Sequence, residues 1–253
     1  MKKPNIDALL AQHGDNPLAI LAALGGFYEC PKNGDMRLGP LVGYAGKYDA
    51  GNGTFLQFVG DVYANFSKAE QFPLVMRHFA TMLWRRETDL LSSADIICGP
   101  QMGGVAIAMM LAYETGSEFA YIEKDVKQLA TETLREQADL KFIRHTINAG
   151  QKVVIAEDVL NNFSTAKDTI AMIEEAGGEV IGIAGLLNRS ATIIDEFDYY
   201  GRKIPVVSLV YKPFEQYRQD DPFVAADMEA QNVVLKPKNN WEKLADAMKK
   251  MTV

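Results

Sequence analysis

The segment Val153 to Ile170, VVIAEDVLNNFSTAKDTI, runs an apolar stretch into two adjacent acids, Glu157 and Asp158, and then into a polar loop that opens a helix. An unpaired carboxylate is costly to desolvate, so two of them at the end of a buried strand call for hydroxyl donors or a divalent cation. The loop that follows asks for the opposite partner. A helix N-terminus gathers backbone N–H groups at the positive end of a dipole, and Asn161, Ser164 and Thr165 add side-chain donors and an N-cap, which together suit a phosphate. A ribose 5-phosphate offers a diol to the acids and a phosphate to the loop in one molecule.

The elements that must position these groups can be read from periodicity. ADIICGPQMGGVAIAMMLAYETG reads as an apolar strand, a Gly/Pro turn and a helix ending at Gly116. FAYIEK follows as a short strand, DVKQLATETLREQADL is polar, and KFIRHTI reads as a strand returning from it. KVVIA is then a strand, the acids sit in the loop after it, STAKDTIAMIEEAGG is a helix and EVIGIAGLLNRS a strand. Continuously apolar strands alternating with helices imply an α/β protein with a mostly parallel sheet covered on both faces. Ligands of such sheets bind beyond the carboxyl ends of the strands, where Gly99, Glu157, Asp158 and Arg189 all fall.

Upstream, Val75, Met76, Phe79, Met82 and Leu83 recur at helical spacing, TFLQFVGDVY alternates as a strand, and an amphipathic helix is expected from Trp241. The 253 residues carry a net charge of -7 and are 48% hydrophobic. That balance argues against nucleic acid or an anionic membrane as partner, since both require concentrated positive charge. Cys30 and Cys98 form no CxxC pair, and the three histidines fit no metal motif, so neither a disulfide framework nor a protein-held metal is expected. The longest apolar run, GVAIAMMLAY, is about half the ~20 residues a membrane-spanning helix needs. The chain is therefore expected to be cytoplasmic.

An apolar strand, an acidic pair, Val-Leu and a polar loop opening a helix resemble the phosphoribosyl pyrophosphate (PRPP) signature of type I phosphoribosyltransferases. ADIICGPQMGGVAIAMMLA is similar to the pyrophosphate-contacting strand, loop and helix of the orotate phosphoribosyltransferases. LVGYAGKYDAGNGTFLQFVGDVY resembles their N-terminal hairpin, and LLNRS the strand end whose arginine meets orotate. The match spans roughly Leu41 to Lys212. It implies the type I fold: a central mostly parallel sheet flanked by helices with a small N-terminal hood. As one domain of residues 1–253, this divides into a hood (1–75), a PRPP-binding core (76–212) and a C-terminal tail packing on the core (213–253).

Carried over by position, the resemblance implies that Glu157 and Asp158 hold the ribose hydroxyls. Asn161, Asn162, Phe163, Ser164 and Thr165 hold the 5-phosphate, while Gln101, Met102, Gly103 and Gly104 lie against pyrophosphate. Lys124 and Lys127 fall where a mobile loop closes over the pyrophosphate, and with Asp158 they form the implied catalytic set. Arg189 pairs with a carboxylate on the base, with Asn161, Lys47 and Tyr44 beside it. Mg²⁺ enters with PRPP, catalysis comes from positioning and from cations on the leaving group, and a homodimer is implied. The reaction so implied transfers the phosphoribosyl group from PRPP to a base, orotate foremost, releasing pyrophosphate in pyrimidine nucleotide biosynthesis. Transfer to another base and non-catalytic sensing of PRPP or a nucleotide are the alternatives.

Several positions depart from the family pattern, among them Leu129 where it has a histidine and Asn161 and Asn162 where threonine or alanine is common. Glu123 stands where it has an arginine, and DVLNNF places Phe163 where it has a glycine. A positive φ there would strain phenylalanine by about 1 kcal/mol or more. The adjacent asparagines tolerate left-handed backbone, so a reshaped loop is expected, with Phe163 either walling a base pocket or obstructing the phosphate site.

Overall fold

The computed structural model describes residues 4–51, 53–128 and 137–249, with the side chains of 124–128 and 137–140 outside the described set. The chain divides into two compact units, Met1–Ala69 with Phe214–Val253, and Glu70–Pro213.

The first unit opens with α1 (Ile6–His13) and α2 (Pro17–Ala23), each started by an asparagine whose side chain accepts a backbone N–H: Asn5 from Ala8 at 3.1 Å and Asn16 from Ala19 at 3.0 Å. These bonds satisfy donors that a helix start leaves open. Short strands follow: β1 (Phe27–Glu29), β2 (Lys32–Asn33) and β3 (Met36–Arg37). The longer β4 (Leu41–Asp49) pairs antiparallel with β5 (Phe55–Gly60). β6 (Val62–Ala64) returns to β1, and α3 (Ser67–Glu70) leads out of the unit.

In the second unit α4 (Pro73–Arg86) buries Val75, Met76, Phe79 and Leu83 of the expected stripe together with Ala80, while Met82 is only half-buried. Then come α5 (Thr88–Ser92), β7 (Ile96–Gly99), α6 (Gly103–Thr115) and β8 (Glu118–Tyr121). β9 (Glu123–Gln128) and β10 (Gln137–Lys141) pair in a hairpin of their own. β11 (Lys152–Leu160), α7 (Ser164–Glu175), β12 (Glu179–Asn188), β13 (Glu196–Tyr199) and β14 (Arg202–Tyr211) complete the unit. The six-stranded sheet has the order β13-β14-β12-β11-β7-β8, parallel throughout except for β13. This is the expected mostly parallel α/β core. From β7 the chain moves outward to β8, then returns to the other side of β7 with β11, β12 and β14. Strand order thus reverses between β7 and β11, and a crevice opens beyond their carboxyl ends.

Three details differ from the sequence reading. β11 continues through Glu157 and Asp158 to Leu160, because β12 pairs with it as far as Leu160↔Asn188, so the acids lie in a strand and not in a loop. The strand expected at KFIRHTI is displaced to Gln137–Lys141, paired with β9. Residues 142–147 carry no strand, and His145 instead packs its ring on Tyr121 of the edge strand β8, 4.7 Å between centroids. β14, whose apolar run IPVVSLVY was the available signal, had not been read as part of the sheet.

The tail carries α8 (Ala225–Glu229), β15 (Val233–Val234) and α9 (Trp241–Lys249). It was expected on the core but belongs to the compact unit of Met1–Ala69. The physical reason is an open sheet edge and an apolar face: β15 adds in parallel to β4, and α9 buries Leu244 and Ala247 with Tyr28, Cys30, Val42 and Tyr44. Arg37 reinforces this union, its Nε 2.5 Å from Asp61 and its Nη1 3.2 Å from Asp227 of α8, with all three side chains less than 15% exposed. Burial pushes the Asp61 carboxyl up, but Arg37 and Lys32 outweigh it and hold it below the usual range. Arg37→Ala leaves Asp61 with Lys32 alone and takes the guanidinium from Asp227, both sequestered carboxylates, and an expected loss of about 3 kcal/mol follows. Urea unfolding would measure it, and a loss below about 1 kcal/mol would show that water replaces the guanidinium. No described helix is long and apolar enough to cross a membrane.

Candidate active site

β7 pairs with β11 only as far as Cys98↔Ile155, so the end of β11 overhangs its neighbour. The space beyond β7 is taken by the turn into α6, and glycines let it come close. A Cβ on Gly104 would lie 2.4 Å from the Ala156 carbonyl, and a Cβ on Gly103 would lie about 2.2 Å from Asp158 Oδ1. The Asp158 carboxylate therefore rests against the first turn of α6, where helix N–H groups favour negative charge, and its Oδ1 also accepts the Val159 N–H at 2.9 Å. The peptide Gln101–Met102 in this turn is cis, and Met102 is exposed.

Consecutive strand residues point to opposite faces, and Glu157 faces the other way. It lines a pocket of ≈ 110 Å³ with Val159, Leu160, Asn161, Asn162, Phe163, Ser164, Thr165 and Ala166. That is well below the ~300 Å³ at which drug-sized pockets begin, and a phosphate group suits it better than a base. Asn162 Oδ1 accepts from Ser164 N at 3.1 Å and from Ser164 Oγ at 2.9 Å, tightening the turn. The expected N-cap is not formed by Asn161, Ser164 or Thr165: Phe163 occupies the cap position without a side-chain bond, and Asn162 takes the Ser164 N–H instead. The first-turn donors beyond Ser164 are thus left without a side-chain acceptor.

Phe163 has φ 58, the left-handed conformation in which a phenylalanine is strained. Its ring is 3% exposed and stacked on Phe197, 5.2 Å between centroids and 14° between planes. The ring is thus turned into the core, where Phe197 gives it an aromatic partner.

Burial, and then the Asp158 charge beside it, push Glu157 up to about 8. The folded chain holds this proton across a range in which the unfolded chain, titrating near 4.5, has released it. Stability from this group is therefore fully present below the unfolded value and is lost as pH rises through the folded one. Glu157→Gln should flatten the fall in Tm between roughly pH 5 and pH 8; a wild-type profile identical to that of the variant would contradict the shifted titration.

Arg189 follows the last residue of β12, and its N–H donates to the Leu160 carbonyl at 2.8 Å, which sets it beside the loop start at Asn161. Asn188, fully buried, was not singled out from the sequence. Its amide donates to the Ile193 and Ile194 carbonyls at 2.8 and 3.1 Å and accepts from Ser190 N at 3.0 Å, shaping the turn that carries Arg189. A polar residue closing an apolar strand was the signal. Lys124 and Lys127 have their backbone in β9, and their side chains lie outside the described residues. Glu123 is buried and faces Arg144 Nε at 3.4 Å, while Arg144 Nη1 donates to Tyr121 Oη at 2.9 Å. In the other unit Lys47 is exposed on β4, whereas Tyr44 is buried and donates its hydroxyl to the Val62 carbonyl at 2.9 Å, a packing role.

A family model described as the phosphoribosyl transferase domain matches residues 68–215. The adenine phosphoribosyltransferase of Brevibacillus brevis is 36% identical over 124 residues, covering 46% of this chain and 71% of that protein. The orotate phosphoribosyltransferase of Caldanaerobacter subterraneus subsp. tengcongensis is 26% identical over 162 residues, 64% of this chain and 75% of that protein. Among solved structures, adenine phosphoribosyltransferase from Thermoanaerobacter pseudethanolicus aligns with a TM-score of 0.46 and 20% identity, over 66% of this chain and 94% of that one.

Proposed function

The chain belongs to the phosphoribosyl transferase domain family, and from that premise we propose that it transfers the 5-phosphoribosyl group of PRPP to a carboxylated base, orotate, releasing pyrophosphate. The observation that carries this reading is the pairing, at the switch in strand order, of a phosphate-sized pocket at the start of α7 with Asp158 set against the glycine turn of α6. In this reading the 5-phosphate sits among Asn161, Asn162, Ser164 and Thr165 and the open N–H groups of α7. Glu157 and Asp158 take the ribose hydroxyls from the two sides of the strand end. Gln101 to Gly104 lie along the pyrophosphate, over which Lys124 and Lys127 close, completing the site within a homodimer.

Arg189 supports the choice of orotate, since a guanidinium forks onto a carboxylate in a way that no other side chain matches. The described residues gather no three metal-ligating side chains, and the two carboxylates are the groups that fit Mg²⁺ arriving with PRPP. When bound, the ion would neutralise charge on the departing pyrophosphate. What the chain itself does is orient the ribose and exclude water.

Adenine as acceptor is the second reading, favoured by the relative of 36% identity. Sensing without turnover would have followed from a loop obstructed by Phe163, whose ring is turned into the core. The test is pyrophosphate release from PRPP and Mg²⁺ with orotate, adenine and other bases supplied singly, with the nucleotide product identified by mass. Release with orotate alone is expected. Release with adenine alone would replace orotate, and release with none would remove the transferase reading.

A further inference from the structure

β13 and β14 pair antiparallel as a hairpin, and this hairpin touches α7 at its start, its second turn and its end. Phe163, the cap residue, stacks on Phe197 of β13; Lys167 Nζ lies 4.8 Å over the ring of Tyr200 in the turn; and Glu174 pairs with Arg202 of β14. Positions 163, 167 and 174 follow the i, i+4, i+11 spacing of one helix face. The hairpin turn is itself tight, with Tyr200 at φ 52 and Gly201 at φ 86, the geometry that suits right-twisted strands. Asp198 Oδ1 accepts the Gly201 N–H at 2.8 Å. The aromatic row continues from Phe197 to Tyr199 at 6.4 Å and from Tyr199 to Tyr200 at 4.9 Å.

We propose that Phe163 is a positioning residue for the phosphate loop, and that its stack on Phe197 lets the β13–β14 hairpin hold the start of α7 in its left-handed turn. A phenylalanine does not choose φ 58 by itself, because its Cβ crowds the backbone there. The conformation persists when surrounding structure over-determines it. Here the ring is seated in the core cluster with Phe197, Ala166 and Ile170, while the Phe163 carbonyl accepts the Lys167 N–H at 2.8 Å and so begins the helix. Freed from the stack, residues 162–165 would lose the backbone direction that aims their N–H groups into the pocket. The ring thus acts on the ligand through the backbone and not by contact.

This rests on the reading of the pocket as the 5-phosphate site, so wild-type binding of ribose 5-phosphate by calorimetry comes first. Phe197→Leu, Phe163→Ala, which removes the ring but keeps the Cβ that crowds a left-handed backbone, and the double variant are then compared for KM of PRPP, kcat at saturating PRPP, affinity for ribose 5-phosphate, and Tm. Ile183→Val, in the same core cluster, is the control for general loosening. Expected is a rise in PRPP KM, and in ribose 5-phosphate Kd, of on the order of tenfold for each single variant, with kcat within about twofold. The double variant should be no worse than the singles, because both remove one contact. Phe197→Tyr should restore wild-type values, and Phe197→Met serves if the leucine variant does not fold. The proposal is overturned if Phe197 variants lower Tm but leave KM as the Ile183→Val control does, or if the two single effects simply add. A wild type that binds neither ribose 5-phosphate nor PRPP overturns the functional reading, and this inference with it.

Discussion

Gly103→Ala is expected to lower kcat/KM for PRPP by on the order of a hundredfold, the scale set by a misplacement of about 1 Å at a reacting centre. The added Cβ would fall about 2.2 Å from Asp158 Oδ1, a contact that cannot persist, so either the carboxylate swings away or the turn into α6 backs off. In both cases the acid and the turn lose their mutual placement. Gly103 is the first residue of α6 and does not have positive φ, and alanine in a helix is better than glycine by up to about 1 kcal/mol. A loss of binding could not then be assigned to a weakened helix. Gly116→Ala makes a useful contrast: its position has φ 76 and nothing within 4 Å of a Cβ, so it should cost stability and spare PRPP binding. Steady-state kinetics beside thermal unfolding would separate the two, and a Gly103→Ala enzyme with wild-type KM and kcat would show that Asp158 does not need its position.

Asp158→Asn should weaken PRPP binding by roughly ten- to a hundredfold, as expected for losing hydrogen bonds to a charged acceptor, while stability changes by less than about 1 kcal/mol. The asparagine keeps the shape and can still accept the Val159 N–H that Asp158 Oδ1 accepts at 2.9 Å. Glu157 should respond as well. Its elevation comes first from burial and second from the Asp158 charge, so in the variant it should titrate closer to the ordinary carboxylate range. Calorimetric titration of PRPP with Mg²⁺ at several pH values reads both effects. Unchanged affinity would rule out contact between Asp158 and the ribose, and an unmoved titration would deny that the two carboxylates feel one another across the strand.

Much of the core and its acidic site was legible in the chain because the signals are local. Apolar runs alternating with helices specify a parallel sheet whatever their order, and Glu157-Asp158 at the end of such a run is conspicuous because charge is costly there. A left-handed turn at Phe163 could be raised only through the family's glycine at that place, since a helix start by itself favours an extended cap residue. Where the ring goes could not, since Phe197 lies on a hairpin far along the sequence whose strands had not been read. Likewise Gly103 and Gly104 read as turn residues; only the fold reveals that one of them makes room for Asp158 and the other for the Ala156 carbonyl.

The tail shows the same division. Its closing helix was expected from Trp241 onward, and it is present, burying Leu244 and Ala247. Its docking surface depended on which edge and which apolar face remained open after the rest had folded, and β4 supplied one beside a buried ion network through Arg37. By itself, then, the sequence determined the α/β class, the acidic strand end and the polar loop that opens α7, because periodicity and desolvation act between neighbours in the chain. The tertiary structure decided the close approach at Gly103, the destination of Phe163, the opposite facing of Glu157 and Asp158, and the attachment of the tail. Those depend on contacts between distant residues, which close packing settles only once the whole fold is formed.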